Sequence, residues 1–157
     1  MRPTALAAPL LAVALLAGCS GAASPTSTPS GSAGGENGAG ETPATDIEAG
    51  DCYDPAASGD AAAVALVDCA APHRYEAFAS FVLTDAAYPG DALDAEARQP
   101  CIDAFADFVG IDYASSALAL RYIAPSEGTW AEGDREVVCV VGDPAGPTSG
   151  SLRGTAR

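Results

Sequence analysis

His73 is the only histidine among 157 residues, so any Ser-His-Asp triad or His-based general acid/base scheme would have to be built on it. It stands in Cys69-Ala70-Ala71-Pro72-His73-Arg74-Tyr75-Glu76, and no Gly-x-Ser-x-Gly nucleophile turn accompanies it. Following Pro72, where an extended run begins, His73 is expected to hydrogen-bond a backbone group or Glu76 rather than move protons for a substrate. Paired carboxylates could do glycosidase work, but with 21 Asp and Glu in the chain chance pairs are certain, and most acids are expected on a solvated face. Trp130, the sole Trp, lies between Gly128 and Gly133. It is expected as a lid on the core, the other reading being an exposed anchor for a partner. Asp134-Arg135 either forms a local ion pair that fixes this loop or presents a guanidinium fork to a carboxylate. No Asp-x-Asp-x-Asp-Gly calcium loop and no Gly-rich phosphate loop is present. A single histidine without Cys-x-x-Cys gives no zinc pattern. No metal and no cofactor are implied.

The scaffold that must position these groups is lean. Hydrophobic residues make up 48% of the chain, but 36 of them are Ala, which bury little surface each. Small cores need staples. Cys52, Cys69, Cys101 and Cys139 stand at intervals of 17, 32 and 38, an even count suited to two disulfides in an oxidising compartment. Three connectivities are open. The expected one joins Cys52 to Cys69 and Cys101 to Cys139, closing loops worth roughly 3 and 4 kcal/mol in the chain-entropy account. The second bridge would pin a helix to the last strand.

That helix is expected from an N-cap at Asp91 to Val109, with Gly110 just past its end. Leu93, Ala97, Cys101, Phe105 and Phe108 recur at every third or fourth position and make one apolar face. Pro100 should kink or split it. Residues 61–69 and 75–84 read as strands joined by a turn at 70–73, and 116–124 and 135–142 as two more. In the second strand Phe78, Ser80 and Val82 fall on one face, and Ala77, Ala79, Phe81 and Leu83 on the other. Strands, one helix, then strands define an α+β class: a small, mainly antiparallel sheet with one principal helix packed on it, stapled by two disulfides.

Charge and the N-terminus speak to location. All seven cations are arginines, spread singly, against a net charge of −14, so the clustered cations that neutralise nucleic-acid phosphates are missing and nucleic acid is excluded as a partner. Residues 1–18 carry one charge, Arg2, ahead of an apolar run too short to span a bilayer and suited to an export signal. The run ends in Leu16-Ala17-Gly18-Cys19, which resembles a bacterial lipobox, and this resemblance implies lipidation of Cys19 and a membrane anchor. Residues 19–45 then form a Ser/Gly/Pro/Thr tether with nothing large to bury after Cys19, expected to stay disordered with a reach of roughly 30 Å. The folded domain is expected over 46–142, and 143–157 as a C-terminal tail.

Within that domain, Gly50-Asp51-Cys52-Tyr53, Cys69-x-x-Pro72-His73-x-x-Glu76, Tyr88-Pro89-Gly90 and Cys101-x-x-x-Phe105 follow one another. Trp130-x-x-Gly133-Asp134-Arg135-x-x-x-Cys139 and Gly150-Ser151-Leu152-Arg153-Gly154 complete the order, which resembles the actinobacterial septum-formation domain. The resemblance implies an envelope-facing, disulfide-bonded domain with adjacent cysteines paired, associated with the division septum and without assigned catalysis. The expected function is a non-enzymatic binding or scaffolding lipoprotein with an unidentified envelope or division protein as partner. The alternatives are a binder of small ligands or wall fragments, which needs a pocket of about 300 Å³, and a wall hydrolase.

Overall fold

The computed structural model describes residues 40–157; the export signal, Cys19 and most of the tether lie outside them. Six strands, β1 (Glu41–Pro43), β2 (Cys52–Pro55), β3 (Ala63–Val67), β4 (Tyr75–Val82), β5 (Ala119–Ile123) and β6 (Glu136–Gly142), form one sheet in the order β1-β3-β2-β4-β6-β5. Every ladder is antiparallel. The principal helix, α1, runs from Leu93 to Val109, and a short α2 from Glu127 to Ala131. The expected α+β architecture is what the chain adopts.

β6 sits between β4 and β5 and is buried along all but its first residue. Its Val-Val-Cys-Val-Val run suits a strand covered on both faces, where β-branched side chains fill both layers. On one face α1 lays Ala97, Cys101, Phe105, Phe108 and Val109 against Val137, Cys139 and Val141. On the other, Val138 and Val140 pack with Tyr53, Val64 and Ala77 beneath Ile47. Cys101 is bonded to Cys139 and Cys52 to Cys69, with Cα atoms 5.3 and 5.1 Å apart. The first bridge ties α1 to β6, one strand in from the β5 edge, and the second ties the start of β2 to the chain just beyond β3.

Several expectations are corrected. Pro100 does not split α1, which is continuous through it. The proline is exposed while Cys101 beside it is buried and bridged, so the one missing backbone bond falls on the solvent side. Asp91 does not cap the helix, because a 3₁₀ turn at Gly90–Ala92 leads into it. Gly110, with φ of 91°, takes the left-handed conformation expected beyond the last turn. In β4 the register shifts between Ala77 and Ala79, a bulge that turns Phe78 to the helix side with Ala79, Phe81 and Leu83. Ser80 and Val82 remain exposed. Residues 41–43, expected within the tether, pair with β3. Backbone ladders hold them, and Glu41 Oε1 accepts the Ser58 N–H at 2.7 Å, the bond that chiefly holds this carboxyl below its ordinary pKa. Composition does not register contacts of this kind.

Candidate functional site

Just ahead of β4 and at its head, His73 and Glu76 are buried while Arg74 is exposed and Tyr75 half-exposed. His73, 1% exposed, is bridged through its backbone to Thr148, donating at 2.9 Å and accepting at 2.8 Å. Its Nδ1 lies 2.9 Å from the Ala71 carbonyl. A carbonyl accepts only, so Nδ1 carries a proton, and Nε2 is buried with no hydrogen-bond partner among the described residues. Of the two partners expected for His73, the backbone is the one it takes.

Glu76 turns instead to the C-terminal segment. Its Oε1 accepts the Ser151 hydroxyl at 2.6 Å and its Oε2 the Leu152 N–H at 2.7 Å. Leu152 is 2% exposed and joins the core under α1. Gly154 and Ala156 donate their N–H groups to the Phe108 and Val109 carbonyls at 2.8 Å each, satisfying acceptors that the end of a helix leaves orphaned. Residues 143–157 are therefore not the loose tail expected from their polar composition. One buried leucine, one carboxylate and a set of backbone bonds hold them. Cys52 Sγ, a ring nitrogen of His73 and a Glu76 oxygen lie within 4.8 Å of one another. A metal would find the right donor types there, but the sulfur is committed to Cys69 and both Glu76 oxygens already accept hydrogen bonds.

Trp130 lies on α2, which opens with a reciprocal capping box. Ser126 Oγ accepts the Thr129 N–H at 3.1 Å, and Thr129 Oγ1 accepts the Ser126 N–H at 3.0 Å. The indole is 6% exposed and meets Tyr88 edge-on at 5.7 Å. Trp130 is thus the core lid, and the reading as an exposed anchor is corrected. Arg135 stacks on it at 3.7 Å and donates to the Trp130 and Asp134 carbonyls at 2.7 and 2.6 Å. The expected Asp134–Arg135 ion pair is replaced by this clamp, because the Asp134 carboxylate accepts the Glu136 N–H at 3.0 Å instead. The Ser126-x-x-Thr129 spacing was the sequence signal for α2.

Neither His73 nor Trp130 borders the open space on this surface. A groove of about 280 Å³ lies at the ends of β4, β5 and β6, walled by Arg74, Tyr75, Arg121, Gly142 and Asp143. The Arg121 guanidinium is 5.4 Å from the centre of the Tyr75 ring, and the Tyr53 ring stands 5.3 Å behind it. Burial, with Tyr75 adding to it and Arg121 opposing, pushes the Tyr53 phenol up to about 12. No spacing in the chain announces this groove, since three strands distant in sequence build it.

The family of septum formation matches residues 43–156, and the chain belongs to that family. The match takes in the C-terminal segment that Glu76 holds. No curated protein and no solved structure shows a significant match. Among the described residues, no helix is long and apolar enough to cross a membrane.

Proposed function

We propose that this protein is a lipoprotein of an actinobacterial envelope, held to the outer side of the membrane by lipid on Cys19, whose domain acts as a non-enzymatic binding or scaffolding module in septum formation. Membership of the septum-formation family over residues 43–156 is the observation that carries the reading. Two disulfides suit an oxidising compartment, and Leu16-Ala17-Gly18-Cys19 offers the acylation site. The non-enzymatic part rests on the burial of His73 and Glu76 beneath the C-terminal segment. A substrate reaches neither without unseating that segment. The partner is an envelope or division protein within reach of the tether. A second reading, a binder of small ligands or wall fragments, is favoured by the Arg74–Arg121 groove.

A fluorescent fusion to the full chain, combined with a fatty-acid probe, tests the proposal. Wild type should gather at the septum and take up label, and Cys19→Ala should lose the label. A mutant labelled as strongly as wild type would overturn the lipid anchor. A wild-type signal spread evenly around the cell would overturn the septal role.

A further inference from the structure

We propose that the groove at the ends of β4, β5 and β6 binds a small acidic sugar, a single ring bearing a carboxylate or a phosphate, with the acid group held by Arg74 and Arg121. Charge is the first ground. Six of the seven arginines fall in the described residues, and three of them are engaged. Arg135 holds backbone carbonyls, Arg153 covers Phe108 at 4.5 Å, and Arg157 pairs with Asp143. Arg74, Arg98 and Arg121 are exposed and make no ion pair among the described residues; of these, Arg74 and Arg121 line one groove, with Arg121 set over the Tyr75 ring. Two arginines on the walls of one groove give it a positive potential that an anion would neutralise, and a planar guanidinium fork fits carboxylate and phosphate oxygens.

The acid that lines the groove, Asp143, is already paired. Asp143 would repel an anion from the groove wall, but Arg157 neutralises one oxygen and the Ala145 N–H occupies the other at 2.8 Å. Asp54 accepts the Arg74 backbone N–H at 3.0 Å. Beneath them, Tyr75 lies over Gly142. A Cβ at Gly142 would stand 2.6 Å from the Arg74 carbonyl and 3.0 Å from the Tyr75 ring, so only glycine lets the ring sit there. Ala119 pairs with Gly142 and Arg121 with Val140, which fixes this side of the groove on hydrogen-bonded strands, while Arg74 stands just before β4 and Asp143 just after β6. The part of the Tyr75 ring left exposed beside Arg121 offers dispersion contact to the apolar C–H groups of a sugar. The volume falls just below the roughly 300 Å³ of the smallest drug-sized sites, room for one ring and its acid group.

The test is an NMR titration of the ¹⁵N-labelled full chain at constant ionic strength with glucuronic acid, glucose 6-phosphate and glucose. Either acid, or both, should shift the amides of Arg74, Tyr75, Ala119, Arg121 and Gly142; which of the two binds tells carboxylate from phosphate. Glucose should bind about tenfold more weakly or worse, and Arg74→Gln and Arg121→Gln should each weaken the acids by about tenfold. Arg121→Lys, which keeps the charge, should bind better than Arg121→Gln. Arg157→Ala should weaken the acids by freeing the Asp143 carboxylate while leaving glucose unaffected. The amide spectrum itself reports that each variant is folded. Glucose binding as tightly as the acids, shifts centred on another face, no shifts at millimolar ligand, or full affinity in the two glutamine variants would each overturn the proposal. The septal role does not depend on it and would survive any of these outcomes.

Discussion

His73, Arg74, Tyr75 and Glu76 are consecutive, yet they serve two regions of opposite character. His73 and Glu76 point inward into a sealed knot that holds the C-terminal segment. Arg74 and Tyr75 point outward and wall an open groove. The residues whose chemistry attracts attention in the sequence, a lone histidine and a carboxylate three positions on, are consumed in holding the fold. Those left available to a ligand are an arginine and a tyrosine that no motif marks. For Glu76, burial with both oxygens satisfied separates a structural role from a binding one more sharply than residue type does.

Substitutions should separate the two regions by the size of their effect on stability. The largest loss is expected away from both, at the lid. Trp130→Ala should cost about 3–5 kcal/mol, because it empties a buried ring site and strips Arg135 of its stacking surface; urea unfolding measures it. In the knot, Glu76→Ala leaves the Ser151 hydroxyl and the Leu152 N–H without a partner and should cost about 3 kcal/mol. Amide exchange at Leu152, Gly154 and Ala156 should rise with it. An unchanged midpoint there would break the contrast between knot and groove.

Behind the groove, Tyr53 gives the comparison a pH axis. Its phenol is raised to about 12 in the fold against about 10 unfolded, so between these values the folded state binds more protons. Stability is then full below pH 10 and falls as pH rises toward 12, by roughly 2–3 kcal/mol. Tyr53→Phe should flatten that slope in urea melts taken across the range. At the groove itself, Arg74→Gln and Arg121→Gln should change stability by no more than about 0.5 kcal/mol.

The division between legible and hidden features follows from where the information lies. The alternation of Tyr75 onward, the helical spacing of Leu93 to Phe108 and the even cysteines are local patterns, and they carried the α+β class, α1 and both bridges. The β4 bulge at Phe78, the unbroken passage through Pro100 and the seating of residues 143–157 depend on partners far along the chain. Leu152 is a lone apolar residue in a polar stretch, and only the pairing with Glu76 and the end of α1 explains its burial. The motif around His73 was visible while its burial was not, and the groove was invisible because its walls meet only after β4, β5 and β6 pair.

The central proposal is that His73 holds the fold and performs no chemistry, and one paired measurement on His73→Ala tests it: urea unfolding together with release of fragments from purified cell wall by the same preparation. The account predicts a loss of about 1–3 kcal/mol in stability and no difference from wild type in wall cleavage. Unaltered unfolding together with abolition of a wall-cleaving activity that wild type possesses would contradict it and assign His73 to catalysis.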